Sequence, residues 1–288
     1  MKLDGYASRF IKNTNICLVG KLFRILHYKL GILILIISFV GCDLIEYSPF
    51  QVDDSVAGKN RNGKAINKII TKSSDTFKPF KIAIIADSHT YYDDLCDQVN
   101  TINKLKDIDF VIHMGDFTDN GIYKEFVWFT EIIDELKLPI LVMIGNHEYL
   151  GNGEVMYEKV FGERNFTVIY NDCRFVFWDD VVWERNGKDP DFEWLQENIE
   201  EGEDYSYQFV FAHIQPWDRQ FSAGNAFFYD YLLKTNGVDL SVHGHAHVFL
   251  YEEYYEGIPY LIIDSSPARE ITVLEINQDS FEVENIAL

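Results

Sequence analysis

Short apolar runs alternate with stretches of helical periodicity through the middle of this chain. Residues 81–86 form an apolar run, and residues 92–106 then place Leu95, Val99, Ile102 and Leu105 on one helical face. Residues 109–114 form a second run, residues 123–137 a second helix with Phe126, Phe129, Ile133 and Leu136 inward, and residues 139–144 a third run. Three strands alternating with two helices predict βαβ units and a parallel sheet segment. Farther on, residues 155–161 read as a short helix, and residues 166–170 and 174–178 as strands around the turn Asn171-Asp172. A helix over 191–201 turns Phe192, Leu195 and Ile199 inward; a strand over 207–212, a helix over 226–235 and a strand over 238–243 follow. Four last strand-like runs, 248–254, 259–264, 271–276 and 280–284, have short connections that predict antiparallel pairing.

Composition supports a packed body: 47% of the 288 residues are hydrophobic and 15% aromatic, which argues against wholesale disorder. Six basic residues against one aspartate give the first 42 residues +5 of a total of −21, leaving −26 on the rest. So acidic a body repels polyanions and argues against nucleic-acid binding, while bound metal ions can still reverse the field locally for a small phosphorylated substrate. Cys17, Cys42, Cys96 and Cys173 show no paired spacing, which excludes neither a single bridge nor free thiols but offers no disulfide framework and no structural zinc site.

The basic start leads into an apolar run over residues 30–40 and then Gly41-Cys42, the layout of an export signal. Eleven residues span about 16 Å as a helix, short of a hydrocarbon layer of about 30 Å. A small residue followed by cysteine resembles the lipobox of bacterial lipoproteins, in which Cys42 would be lipidated; an uncleaved anchor is the alternative. Residues 1–42 are thus expected to export the chain and tether it to a membrane, on the periplasmic side or the cell surface. The polar stretch 43–79 reads as a flexible tether, and 80–288 as the catalytic domain.

The chemistry gathers where apolar runs end. Five such runs are followed by Asp87-x-His89, Gly115-Asp116, Asn146-His147, His213 and His245-x-His247, and only His27, His113 and His243 lie elsewhere. Any one ending could be a polar turn. Together they place oxygen and imidazole donors at the carboxyl ends of strands, where open α/β sheets bind ligands. That donor set suits Mn, Fe or Zn better than Ca, and seven candidates exceed the need of one ion.

In order and spacing, Asp87-x-His89, Gly115-Asp116-x-x-Asp119, Gly145-Asn146-His147-Glu148, His213 and Gly244-His245-x-His247 resemble the calcineurin-like metallophosphoesterases. The resemblance covers residues 79 to about 276. It implies an α/β fold (α+β in some schemes), a four-layer αββα sandwich of two mixed sheets flanked by helices. It also implies two divalent metal ions, the first held by Asp87, His89 and His247, the second by Asn146, His213 and His245, with Asp116 bridging both. The implied reaction is hydrolysis of a phosphate mono- or diester by a metal-activated hydroxide, with His147 as general acid. Asp119 would orient His147 through its other ring nitrogen; Glu148 could do so instead, or support Asn146.

Departures narrow the branch. Asn120 stands where protein phosphatases of this superfamily carry an arginine, and His89 where purple acid phosphatases have glycine. The motifs look closer to the bacterial branch that includes cyclic-nucleotide-phosphodiesterase-like proteins. A catalytically silent metal- or phosphate-binding scaffold, or a nuclease, are the other classes. Metal identity, ester class and oligomeric state are not fixed by these residues.

Overall fold

In a computed structural model of the chain, the apolar runs fold as strands of two mixed sheets. The structure describes residues 26–33, 48, 52, 57–200, 205–255 and 257–288. The chain divides into two units, Met1–Ser48 and Pro49–Leu288. In the first, residues 26–33 are helical and exposed, while residues 34–47, and with them Cys42, lie outside the described residues. No helix among the described residues is long and apolar enough to cross a membrane.

In the second unit the first sheet contains β1 (Phe80–Ile85), β2 (Ile108–His113) and β3 (Ile140–Val142), with β10 (Glu270–Ile276) and β11 (Phe281–Ala287). Its order is β11-β10-β1-β2-β3, parallel from β1 to β3 and antiparallel beyond. The second sheet contains β4 (Phe166–Tyr170), β5 (Cys173–Trp178), β6 (Tyr207–Ala212), β7 (Leu240–His243), β8 (Leu250–Tyr255) and β9 (Ile258–Ile262). Its order is β4-β5-β6-β7-β9-β8, parallel from β5 through β9. The expected antiparallel pairing holds for β8 with β9 and for β10 with β11, but β9 and β10 belong to different sheets.

Strand periodicity explains the layers. Ile82, Ile84, Phe110 and Ile112 share one buried cluster with Phe175, Phe177, Phe209 and Phe211 of the second sheet. Their neighbours Ala83, Ile85, Val111, Trp178 and Val210 point the other way and pack with helix residues. Burial on both faces is why these strands read as continuous apolar runs. Helices α2 (Tyr92–Ile102) and α3 (Tyr123–Ile133) cover the first sheet: Gln98 Nε2 donates to Glu270 O, and Phe129 packs edge-on against His113. On the second sheet, α5 (Phe192–Ile199) and α6 (Ala223–Thr235) place Phe192 and Tyr229 against Trp178. The result is the expected four-layer sandwich.

The expected tether is not one throughout. Residues Arg61–Ile70 form a helix, α1, whose N-cap Asn60 accepts from Gly63 N at 3.1 Å. It buries Asn62, Ala65 and Ile69. Asn62 Nδ2 donates to Val142 O at 2.8 Å and Asn62 Oδ1 accepts from Val142 N at 2.9 Å. One side chain therefore pairs both backbone groups of Val142 on β3, the edge strand of its sheet. A final short helix, α4 (Gly153–Val160), follows the Gly145-Asn146-His147-Glu148 turn.

Candidate metal centre

The loops after β1, β2, β3, β6 and β7 converge, because the parallel strands of each sheet end on the same side. A parallel bridge between Ala86 and Ser265 ties the loop after β1 to the segment after β9. Within this convergence the ligand atoms of Asp87, His89 and His247 lie within 4.8 Å of one another, as do those of Asp116, His213 and His245. A third group, His89, Asp116 and His147, meets the same limit, so Asp116 adjoins both sides of the site and His147 lies within ligand range.

Hydrogen bonds fix how the imidazoles face. Nδ1 of His89, His147 and His213 lies 3.1, 2.8 and 2.8 Å from the backbone oxygens of Thr118, Asp119 and Met114. With Nδ1–H donating to a carbonyl, each neutral ring keeps its lone pair at Nε2. His89 Nε2 then stands 3.3 Å from His247 Nε2, and His213 Nε2 stands 3.1 Å from Asp116 Oδ2. Donor atoms converging at such distances could share a cation. Asn146 Oδ1 is a buried atom without a hydrogen-bond partner, as a coordinating atom would be in the absence of its ion. The donor set and this orphaned oxygen fit a pair of divalent cations.

The electrostatics agree. Burial alone would raise the Asp116 carboxyl, but His213 and His147 hold it below the usual range. Burial alone would lower His213, but Asp116, Asp87 and Asp180 carry it well above its ordinary value. The hydrogen bond that His247 donates to Asp87 raises His247, whereas burial lowers His245. The pocket thus favours positive charge between its carboxylates.

Gly145 owes its place to close approach: a Cβ there would lie 2.3 Å from Asp116 Oδ1 and 2.5 Å from Asp116 N. Asn146 takes an ordinary helical conformation (φ −73°, ψ −28°), so the turn needs no unusual angle at that residue.

The Calcineurin-like phosphoesterase family matches residues 80–249, more than half of the chain. The chain belongs to that family. A protein of Xenorhabdus bovienii named a probable cyclic nucleotide phosphodiesterase is 30% identical over 71 residues, 24% of this chain and 29% of that protein. A Fibrobacter succinogenes protein of the same name is 32% identical over 102 residues, 32% of this chain and 38% of its own length. The chain therefore spans well under half the length of these curated relatives. A purple acid phosphatase from yellow lupin superposes with a TM-score of 0.57 at 15% identity, covering 75% of this chain and 53% of that one. That likeness concerns the fold.

Spacing left open how two residues of the phosphoesterase motifs act. Asp119 meets His147 through its backbone oxygen, not its carboxylate. The carboxylate accepts from Thr90 Oγ1 at 2.7 Å and lies 3.2 Å from His89 Nδ1. Glu148 orients neither His147 nor Asn146. Fully buried, it accepts from Asp116 N, Gly145 N and Thr118 N, each at 2.8 Å, and from Thr118 Oγ1 at 2.9 Å, so it pins the loops after β2 and β3 together. Burial and Asp116 push its pKa up to about 7, against the backbone donors that favour the charged form.

Other supports carry no motif. Asp180 accepts from His213 N at 3.1 Å and Ile214 N at 2.9 Å, and burial raises its pKa well above the carboxylate range. Asp179 accepts from Tyr149 Oη and from Arg164 Nη1. Glu184 Oε1 accepts from Asn146 Nδ2 at 3.0 Å. A signal for the first two was present: Asp179-Asp180 directly follows an apolar strand, and β5 runs parallel to β6. Glu184 gave none. His113 and His243 are buried in the core, hydrogen-bonded to Ser88 Oγ and Ser241 Oγ, and burial lowers both to about 3. Cys96 and Cys173 are free thiols.

Proposed function

We propose that this chain hydrolyses phosphodiesters at a dinuclear metal centre. The observation that carries the proposal is Asp116, which lies within ligand range of His213 and His245 on one side and of His89 and His147 on the other. Asp87, His89 and His247 would hold one cation, Asn146, His213 and His245 the other, with Asp116 shared. Two divalent cations held there would lower the pKa of an attacking water and neutralise phosphoryl charge.

The chain's own groups supply the rest. His147 is fixed at Nδ1 by Asp119 O, so its imidazolium form would deliver a proton to the leaving oxygen from Nε2. Glu148 holds Asp116 and Gly145 in place around it. A diester is favoured over a monoester by charge. Asp218 faces His245 at 3.8 Å and Asp119 faces His89 at 3.2 Å, so a second negative charge on phosphate meets acidic neighbours. Asn120, in place of an arginine, bonds Glu125 instead of offering a cation. The names of the two curated relatives make cyclic nucleotides the first diesters to try.

The test is turnover of bis(p-nitrophenyl) phosphate, p-nitrophenyl phosphate and 3′,5′-cyclic nucleotides after loading with Mn, Fe, Zn or Mg. Faster monoester than diester hydrolysis would reject the diester assignment. Two bound ions with no turnover of any ester would leave a silent scaffold, and salt-sensitive DNA cleavage a nuclease.

We also propose export and membrane tethering through residues 1–42, on the support of the basic start, the apolar run and Gly41-Cys42. Fatty-acid labelling that persists in Cys42→Ser would reject lipidation at that residue.

A further inference from the structure

We infer that Glu184 is a positioning residue that sets the amide of Asn146 for the second cation; the inference rests on the dinuclear reading above. An asparagine side chain offers a donor end and an acceptor end, and only the oxygen can coordinate a cation. Rotation about the last side-chain bond exchanges the two at little intrinsic cost. Something must therefore select the face. Glu184 Oε1 accepts from Asn146 Nδ2 at 3.0 Å, and Asn146 Oδ1, at the other end, is buried with no partner. A carboxylate facing the NH2 group opposes the flipped amide, because two acceptor oxygens would then meet. It also polarises the amide and raises the electron density on Oδ1, as outer hydrogen bonds do for metal ligands generally.

Glu184 is itself held. It lies in a one-turn 3-10 helix, Trp183–Arg185, closed by Asn186 at φ 59°. Trp183 N donates to Gln220 Oε1 at 3.2 Å, and Gly187 N to Val182 O at 3.0 Å. Arg185 approaches Asp179 at 3.8 Å and lies over the Tyr149 ring at 6.0 Å. The second oxygen of Glu184 is buried without a partner, so no other donor draws the carboxylate from Asn146. The same loop carries Asp180, which grips the backbone of His213. A segment without a ligand of its own thus steadies two residues of the same proposed half-site.

Calorimetric titration of the metal-free chain with Mn2+ tests the assignment, with ion stoichiometry measured independently by elemental analysis. Glu184→Ala should weaken one of the two ions by about 10–100-fold and leave the other unchanged. Glu184→Gln retains a neutral acceptor for Asn146 Nδ2 and should fall between wild type and the alanine variant. Glu184→Met, similar in length and without an acceptor, should repeat the alanine loss, and it decides the matter if the alanine variant does not fold. Two ions in the wild-type chain with unchanged affinities in the alanine and methionine variants would overturn the role of Glu184 alone. A glutamine variant as weak as alanine would also overturn it, since charge rather than hydrogen bonding would then be responsible. Fewer than two ions in the wild-type chain would overturn the dinuclear centre, and the inference with it.

Discussion

Removing the side chain of Asn62 should weaken the strand that leads into Asn146 and His147, although Asn62 lies within a stretch whose polarity suggests a linker. In the folded chain its carboxamide serves both backbone groups of Val142, a residue with no exposed surface. In Asn62→Ala, Val142 O keeps its 2.7 Å bond from Tyr157 Oη, but Val142 N loses its acceptor. A buried N–H left unmet costs about 1–3 kcal/mol, and the lost anchor of the helix adds about 1 kcal/mol. The expected loss is about 2–4 kcal/mol, a fall in Tm of roughly 5–15 °C for a unit of this size. Urea unfolding of the metal-free chain measures it directly, with a lower midpoint and an unchanged slope. Lys68→Ala, on the exposed side of the same helix, should stay within about 0.5 kcal/mol. If Asn62→Ala unfolds at the wild-type midpoint, the helix does not support β3 and the catalytic unit begins at β1.

His147→Ala should retain both ions and lower turnover by about 10²–10⁴-fold; loss of an ion on elemental analysis would make His147 a ligand instead. Gly145→Ala forces a Cβ to within 2.3 Å of Asp116 Oδ1, so Asp116 must move, with weaker ion uptake and a stability loss of about 1–3 kcal/mol; unchanged titration curves would show the contact to be relieved elsewhere. Burial holds His113 at about 3, below the unfolded value near 6.5, so between these pH values the unfolded chain takes the proton and the folded chain does not. Stability of the metal-free chain should therefore fall as pH drops through that window, less steeply in His113→Asn; equal slopes would remove His113 as a cause.

The strands were legible because burial on both faces leaves continuous apolar runs, and the candidate ligands because each follows such a run. What the sequence hid was support by side chains that hydrogen-bond to backbone. Asn62 acts on an edge strand through its amide and leaves no mark of its own; α1 does carry Ala65, Ile66, Ile69 and Ile70 at helical spacing, but the polar residues around them read as a tether. Glu184 reaches Asn146 across 38 residues, a separation that no local pattern encodes. Asp119 does meet the other ring nitrogen of His147, but through its backbone oxygen: spacing reports that a residue is near, not which of its oxygens is used. Glu148 shows the same limit: its carboxylate serves three amides of the turn it belongs to and of the loop beside it.

Backbone strain at the candidate ligands bears on what bound metals would do for the fold. Asp87, His89, Asp116, His245 and His247 have φ of 48°, 44°, 54°, 65° and 51°, left-handed values that cost non-glycine residues about 1–3 kcal/mol each. Such angles persist only where neighbouring structure over-determines them. Here the amides of four of these residues are held by other loops of the site: Asp87 N by Gly115 O at 3.1 Å, His89 N by Asp116 O at 2.9 Å, Asp116 N by Glu148 Oε2 at 2.8 Å, and His245 N by Asp87 Oδ2 at 3.0 Å. None of these bonds needs an ion. We therefore expect the protein to shape the site, with cations binding a scaffold already in place, unlike small domains that fold only around their metal. Chelation should abolish turnover while near-ultraviolet circular dichroism and cooperative unfolding persist, with Tm lowered only by the mass action of lost binding. Cooperative unfolding on addition of EDTA at 25 °C would refute this, and would mean that the strain at the five ligands is relieved by the ions rather than borne by the hydrogen bonds between loops.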